Sequence, residues 1–302
     1  MIRDLHLYLR ANVHSIHGKL LVPKKTYLTY EVFEKITKES LFIPKMNVKL
    51  RDTFVFNDVY VSIHKEPYRS YCKKVGEGDV LKIFGDISVP TIILDEYNFM
   101  RIKDEYTYTH SINTTLLVIC LCIMFFDDYQ KILQISTASF THDIGKSRIP
   151  SSILHSTMPL SDAEFDIIKE HTVYGAILCS HYFGDFYSPA TIAAFQHHEK
   201  KNGTGYPSSI RLKDDAIMFI SIVDIFDALI SSRPYRNEPY DVRGAIDLLC
   251  LSVQKGELDE EKLKMLISLN RQEKQPVHNL QYSITNRGRI PKQNNYGIRV
   301  YT

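Results

Sequence analysis

Beyond about residue 95, apolar residues recur at the spacing of helices that are buried on one face, and helix-start signals punctuate the pattern. Residues 161–164 read Ser-Asp-Ala-Glu, the order of a capping box, so we predict that a helix begins at Asp162. Ser188 before a proline is typical of another helix start. Helical periodicity also covers residues 215–231, 242–254 and 260–269. This part of the chain is therefore predicted to fold as an all-helical bundle.

The first part of the chain has a different pattern, in which short β-like stretches surround one predicted helix at residues 30–39. Residues 53–61 are rich in aromatic and β-branched side chains and predict a hairpin that turns at Asn57 and Asp58. No cluster of catalytic residue types is found here. The pattern favours a small α+β unit that accompanies the helical one.

These patterns predict a mainly α protein with three parts. We expect a small α+β accessory domain at residues 1–95, a helical domain at residues 96–270 and a C-terminal tail at residues 271–302. The tail has little periodicity, apart from residues 296–301, which are compatible with one added strand.

Charge and hydrophobicity limit what the chain binds. It carries 37 basic and 35 acidic residues, so no strong overall field draws it to polymeric nucleic acid or to an anionic membrane. The longest apolar run, residues 114–126, is shorter than the roughly 18 residues that cross a bilayer and predicts a buried helix. The N-terminus lacks a signal-peptide pattern, and the five cysteines suit buried reduced thiols better than a disulfide framework. We expect a cytoplasmic protein that does not insert into a membrane.

The helical part carries a concentration of imidazole and carboxylate groups that suits a metal site. The candidate ligands are the adjacent pairs His142-Asp143 and His197-His198, together with His110, His171 and Asp224. A lone histidine on an apolar helix is more often a hydrogen-bonded core residue, and we accept that interpretation for His155, His181 and His278. Lys146 follows Asp143 by about one turn, where its charge could hold a phosphate oxygen beside a metal.

Two motifs resemble those of the HD-GYP phosphodiesterases. Residues 142–146 read His-Asp-Ile-Gly-Lys, and residues 197–207 read His-His-Glu-Lys-Lys-Asn-Gly-Thr-Gly-Tyr-Pro. The resemblance extends to residues 108–113, 223–229 and 232–236, and it covers roughly residues 100–250. Five ordered motifs agree by chance far less readily than one. The resemblance implies an HD-type helical bundle.

The resemblance also implies a ligand set and a reaction. The implied metal ligands are His110, His142, Asp143, His171, His197, His198 and Asp224. Asp143 would bridge two divalent ions, for which iron or manganese is favoured and zinc also suits the ligands. A hydroxide between the ions would attack cyclic di-GMP and release linear pGpG, and a second hydrolysis would give GMP.

Other residues would contact the substrate or support the ligands. Lys146 is implied as a catalytic and substrate-binding cation beside Asp143. Arg233 and Arg236 match positions that contact phosphate or guanine in the family, although Arg236 also fits a surface charge at a helix end. Further implied roles are substrate contact for Gly205 and Tyr206, and orientation of a histidine ligand for Glu199.

This sequence departs from the family pattern at one position that affects the expected number of metal ions. Family members with a third metal carry a glutamate four residues before the first histidine ligand, and this chain has Tyr106 there, before His110. Glu105 is adjacent but points about 100° away around the helix. A two-metal site that cuts the substrate once is therefore expected.

Two alternatives stay open at this point. One is a different HD-type phosphohydrolase that acts on nucleotides or on another cyclic dinucleotide. The other is a non-catalytic receptor or scaffold that binds the dinucleotide or a protein. The expected partners are cyclic di-GMP, a second copy of the chain, and a diguanylate cyclase or effector protein, and the N-terminal part is expected to regulate or to dimerise.

Overall fold

The computed structural model describes residues 7–40, 46–232, 238–271, 277–282, 288–289 and 291. Helices dominate this part of the chain. They are α1 (Tyr30–Ser40), α2 (Phe54–Ile63), α3 (Tyr68–Val75), α4 (Glu77–Asp86), α5 (Thr91–Lys103), α6 (Glu105–Phe125), α7 (Tyr129–Thr141), α8 (Ser151–Leu154), α9 (Asp162–Lys169), α10 (His171–Phe183), α11 (Pro189–Gln196), α12 (Asp215–Ile230), α13 (Val242–Gln254) and α14 (Glu260–Asn270). Short 3-10 helices cover Leu50–Asp52, Ile144–Arg148 and Val277–Asn279.

The strands are short and belong to the N-terminal part. They are β1 (Leu7–Tyr8), β2 (Val13–His14), β3 (Leu20–Val22), β4 (Tyr27–Leu28), β5 (Asn47–Lys49) and β6 (Ser88–Pro90). The antiparallel pairs are β1 with β4, β2 with β3 and β5 with β6. The predicted fold class, a mainly helical protein with a smaller α+β N-terminal part, is confirmed.

Helix α6 is the central helix of the bundle. Its N-cap residue, Asp104, accepts a hydrogen bond from the backbone N–H of Thr107, and most residues that follow are buried against α3, α5, α7 and α12. By length and composition α6 is apolar enough to cross a membrane, but 78% of its most apolar window is buried inside the protein. That burial is typical of a core helix, so the buried helix predicted over residues 114–126 is confirmed.

Predicted helix starts in the second part of the chain agree with the structure. The Ser161 hydroxyl accepts from the backbone N–H of Glu164, and the Glu164 carboxylate accepts from the backbone N–H of Ser161, which completes the capping box. Pro189 is the first residue of α11, with the Ser188 side chain as its cap. Helices α12, α13 and α14 lie within one residue of their predicted ranges.

The predicted hairpin at residues 53–61 is wrong, because this segment forms α2. Val55, Val59 and Ile63 are fully buried, and their spacing of four residues places them on one face of a helix. β-propensity reflects the surface on which a side chain packs, and here the helical face packs against the core.

The helix predicted at residues 30–39 is confirmed as α1. The strand predicted at residues 296–301 lies outside the described residues.

A buried ion pair ties the N-terminal strands to the helical part. The Arg148 guanidinium binds both carboxylate oxygens of Glu96, which is fully buried, and the Tyr182 hydroxyl donates to the same carboxylate at 2.5 Å. Arg148 Nε also donates to the backbone oxygen of His14 in β2 at 2.8 Å. The division at residue 95 stays a prediction, and α5 runs across it.

We predict that Arg148→Met lowers the free energy of unfolding by about 3 kcal/mol, because it leaves the Glu96 carboxylate buried without its cation. Urea unfolding of the full chain measures this change. The control is Lys38→Met, which breaks the exposed Lys38–Glu34 pair and should change stability by less than about 0.5 kcal/mol. Equal changes in the free energy of unfolding would show that the buried pair stabilises the fold no more than the exposed pair does.

Candidate metal centre

The side chains predicted as metal ligands lie together inside the helical bundle, in two groups. The first group is His110, His142, Asp143 and Asp224, and the second is His171, His197 and His198. Within each group, one ligand atom from every residue lies within 4.8 Å of the others. All are buried except His198, which is partly exposed. The structure therefore brings all seven predicted ligand positions to one place.

Helix ends position much of the centre. His142 is the C-cap residue of α7 and Asp143 follows it, His171 is the first residue of α10, and His197 is the C-cap residue of α11. The first group is completed by side chains from α6 and α12, which pack against each other. Ligands that come from the facing helices of a bundle are held by packed backbone, which fixes their separations.

The carboxylate of Asp143 lies between the two groups. Its Oδ2 atom is 3.6 Å from Nε2 of His110 and 3.5 Å from Nε2 of His142. Its Oδ1 atom is 3.4 Å from Nε2 of His171 and 3.7 Å from Nε2 of His197. One oxygen thus faces each group, which is the arrangement that a bridging carboxylate requires.

Backbone carbonyls orient three of the histidine rings. Nδ1 of His142 lies 2.6 Å from the oxygen of Ser139, and Nδ1 of His171 lies 2.6 Å from the oxygen of Ile168. His197 makes the equivalent contact at 2.9 Å with the backbone oxygen four residues before it. Because a carbonyl only accepts, Nδ1 carries the proton in each ring and the Nε2 lone pair faces the centre.

Two buried ligand atoms have no hydrogen-bond partner among the described residues, namely Nε2 of His142 and Oδ1 of Asp143. A buried polar atom without a partner is costly, and native structures contain few of them. A divalent cation would supply the missing interaction, and mixed imidazole and carboxylate ligation suits iron, manganese or zinc. The residues present therefore fit a metal centre.

The charges of the first group compensate one another. Burial alone would raise the pKa of Asp143, but Lys146 and His142 outweigh it and hold this pKa well below its usual value. Burial likewise opposes ionisation of Asp224, but the hydrogen bond with His110 and the His142 ring, whose Nε2 lies 3.7 Å from Oδ1 of Asp224, hold this pKa well below its usual value. Burial lowers the pKa of His110, but hydrogen bonds to Asp224 and Asp227 raise it to about 9. Both carboxylates are thus available as anionic ligands.

Two histidines of the second group, His171 and His198, are held in the neutral form that binds metals. Burial lowers the pKa of His171 to about 3 and holds the pKa of His198 well below its usual value. Neutral imidazole has the free lone pair that ligation needs. The cation of this region is Lys146, whose Nζ donates to Asp143 Oδ2 at 2.6 Å.

The glycine-containing loop after the histidine pair packs directly on the centre. The Tyr206 ring stacks on the His198 ring, with centroids 4.6 Å apart and planes inclined by 25°. A Cβ atom on Gly205 would lie 2.4 Å from the backbone oxygen of His198, so only glycine fits this close approach. The carboxylate of Glu199 accepts from the backbone N–H groups of Ser208 and Ile210 at 2.6 and 3.1 Å. These contacts of Glu199 support the loop, and the orientation of a histidine ligand by Glu199 stays a prediction.

Sequence reasoning missed the role of Asp227. Its Oδ2 atom lies 2.6 Å from Nδ1 of His110. The Asp227 carboxylate therefore orients the His110 ring, in the way that backbone carbonyls orient the other three rings described above. The signal was present, because Asp227 follows Asp224 by three residues and therefore shares its helix face. Tyr106 stacks on His110, with centroids 5.8 Å apart. Arg233 and Arg236 lie outside the described residues.

The same region of the chain is similar to known phosphodiesterases. The profile of the HD domain family matches residues 96–261. A stretch of 142 residues, 45% of this chain, is 30% identical to a cyclic di-GMP phosphodiesterase of Pseudomonas aeruginosa and covers 33% of it. A cyclic di-GMP phosphodiesterase of Thermotoga maritima is 35% identical over 35% of this chain and 29% of its own length. The 3′3′-cGAMP-specific phosphodiesterase 2 of Vibrio cholerae is 36% identical over 44% of this chain and 25% of its own length. The matched region thus spans a third or less of each relative.

We predict that Gly145→Ala weakens metal binding by on the order of tenfold or more, because it moves Asp143 away from its partners. A Cβ atom on Gly145 would lie 1.9 Å from the backbone oxygen of His171 and 2.4 Å from the nitrogen of Gly175, so α10 must shift. Metal content after dialysis and calorimetric titration measure the effect.

The matched control for this substitution is Gly78→Ala in α4, where a Cβ atom meets nothing within 4 Å. Because alanine favours helices, it should leave metal binding unchanged and stabilise the chain by up to about 1 kcal/mol. If Gly145→Ala bound metal as tightly as this control, the close approach would not determine the geometry of the centre.

Proposed function

Because the chain belongs to the HD domain family, we propose that it is a metal-dependent phosphodiesterase that hydrolyses cyclic di-GMP to linear pGpG. The observation that carries the proposal is the Asp143 carboxylate, which faces a group of imidazole ligands with each oxygen. Relatives named as cyclic di-GMP phosphodiesterases support the choice of substrate. The proposed place of action is the cytoplasm.

Two divalent ions are the proposed cofactor, and iron or manganese is favoured. His110, His142 and Asp224 would hold one ion, and the three histidines of the second group would hold the other, with Asp143 shared between them. Ions bound there would activate a water molecule and neutralise charge on the phosphodiester. The ligand types leave zinc as a further candidate.

The protein contributes positive charge and a shaped surface around the reacting phosphate. Lys146 is largely buried beside Asp143, where its ammonium group would stabilise negative charge that develops on the phosphate oxygens. Gly205 and Tyr206 would form the wall beside His198, with the flat tyrosine ring available to a base. Arg233 and Arg236 are proposed as further contacts to phosphate or guanine.

The linear product is proposed from the residue that precedes His110 by one helical turn. Tyr106 lies there and presents an aromatic ring to His110, so no carboxylate is available at this position for a third ion. A site with two ions that cuts one phosphodiester bond of the ring is expected to release pGpG. Hydrolysis of pGpG to GMP at this site is expected to be slow.

A second candidate substrate is 3′3′-cGAMP. Three relatives are named as phosphodiesterases specific for it, at 36%, 28% and 34% identity. Cyclic di-GMP and 3′3′-cGAMP differ in one base, and the ions held by the proposed ligands would act on the phosphates, which the two dinucleotides share. The choice between them therefore depends on residues around the loop at Tyr206 and on Arg233 and Arg236.

The partners beyond the dinucleotide stay predictions. We propose that the N-terminal part regulates the helical part or forms a homodimer, and that a diguanylate cyclase or an effector protein is a functional partner. Support comes from the contact of Arg148 with the backbone oxygen of His14 in β2, since Arg148 lies five residues after Asp143. A change in the N-terminal strands would thereby reach the segment that carries Lys146.

We predict that the chain, purified without oxygen and supplied with iron(II) or manganese(II), hydrolyses cyclic di-GMP to pGpG. His142→Ala and Asp143→Ala should each lower turnover by roughly 10³-fold or more, because each removes a ligand of the metals that activate the nucleophile. Chromatography of the nucleotide products measures this, with 3′3′-cGAMP assayed in parallel. The matched control is His17→Ala at an exposed position, which should turn over normally. Unchanged turnover in Asp143→Ala would contradict the mechanism.

We also predict that a chelator abolishes turnover and that added iron(II) or manganese(II) restores it, because the ligands and not the ions are built into the fold. Circular dichroism should report nearly the same helix content before and after chelation, since the core of apolar side chains does not depend on the metal. Turnover that persists after the ions are removed would exclude a metal-dependent reaction.

A further inference from the structure

Helix α3, from the N-terminal part, packs against the second half of the bundle through several polar contacts. Tyr71 donates to the Asn270 side chain at 2.5 Å, and the ammonium group of Lys74 binds the last carbonyls of α14, including that of Ser268 at 2.9 Å. The thiol of Cys72 lies 3.8 Å from that of Cys120 in α6. These contacts fix the position of α3 relative to α6, α12 and α14.

The first residue of α3 reaches the surroundings of the metal centre. Tyr68 is 5% exposed, and its hydroxyl donates to Oδ1 of Asp227 at 2.5 Å. The Ser231 hydroxyl lies 3.3 Å from the same tyrosine oxygen and 3.3 Å from Oδ2 of Asp227. Asp227 is fully buried, so these hydrogen bonds and the one to His110 determine where its carboxylate lies.

The contact continues from Asp227 to a predicted metal ligand. Oδ2 of Asp227 lies 2.6 Å from Nδ1 of His110, and Nε2 of the same ring lies 2.9 Å from Asp224 and 3.6 Å from Asp143. A carboxylate that accepts from Nδ1–H fixes both the tautomer and the tilt of a ligating imidazole. The line of contacts from Tyr68 through Asp227 therefore ends at the atom that would bind the metal.

This support differs from that of the other oriented rings. His142, His171 and His197 rely on backbone carbonyls three or four residues away in their own chain segment, which move together with them. His110 relies on a side chain from α12, which in turn is held by a side chain from α3. Its orientation is thus the one that a distant substitution can change without altering the local backbone.

We propose that Tyr68 is a positioning residue, which holds Asp227 so that His110 presents Nε2 to the metal ion of the first group. The proposal rests on the metal centre proposed above. It assigns to the N-terminal part a direct contribution to one of the two ions. The hydrogen bonds of Tyr68 and Asp227 described above involve His110 and Ser231 and no histidine of the second group, so binding of the ion at the second group should not depend on them.

The test is Tyr68→Phe in the full chain, titrated with manganese(II) by calorimetry. The affinity of one ion should fall by on the order of tenfold, because the outer partner of a histidine ligand is loosened. The affinity of the second ion should stay unchanged. Asp227→Asn should weaken the same ion more strongly, and His110→Ala and His198→Ala identify which binding step belongs to which group.

The matched control is Tyr71→Phe, which also removes a buried tyrosine hydroxyl from α3. The Tyr71 hydroxyl donates to Asn270, whereas the Tyr68 hydroxyl donates to Asp227. It should leave both affinities unchanged, and urea unfolding of both variants measures any common loss of stability. The proposal is overturned if Tyr68→Phe binds both ions as the parent chain does, or if it weakens both ions equally. If the parent chain itself binds no manganese(II), iron(II) or zinc(II), the metal centre fails, which is a different outcome from failure of Tyr68 alone.

Discussion

The carboxylate of Asp143 is the group on which the arrangement of the helical bundle depends. A buried anion is stable only when cations, hydrogen-bond donors or metals surround it, and here Lys146 and the imidazole rings of His110, His142, His171 and His197 do so. Helices α6, α7, α10, α11 and α12 end or pass at this point, and Gly145 allows α10 to approach within direct contact. The bundle therefore has a polar centre that is surrounded by packed helices.

The N-terminal part is joined to this centre at two places. Arg148 connects β2 and Glu96 to the segment after Asp143, and α3 contacts α12 through Tyr68 and Asp227. Both contacts use buried charged or polar groups whose partners come from distant parts of the sequence. The strands and helices before residue 96 thus share buried surface with the helical part.

Local signals and motifs predicted much of this arrangement, and long-range contacts accounted for what they missed. The capping box at Ser161 and the proline at the start of α11 depend on neighbouring residues, so sequence alone locates them. The seven ligand positions were named from adjacent pairs and from the resemblance to a family. The bond of Tyr68 to Asp227 joins residues that are 159 positions apart, and no local pattern encodes it. The hairpin predicted at residues 53–61 is wrong because β-branched and aromatic side chains also suit a buried helix face, and the four-residue spacing of Val55, Val59 and Ile63 is that of a helix.

Helix α6 has a consequence for how the chain is made. Its second half, residues 116–125, is apolar, and its covering helices come both from before it, in α3 and α5, and from much later, in α12. During synthesis, roughly a hundred further residues must emerge before α12 can cover α6. At ordinary elongation rates, apolar side chains of α6 therefore stay exposed for several seconds. His110 meets Asp224 and Asp227 only when α12 docks. Capture of a metal ion by the first group would therefore mark a chain in which α12 has docked, and a chain that stops before α12 would lack this mark.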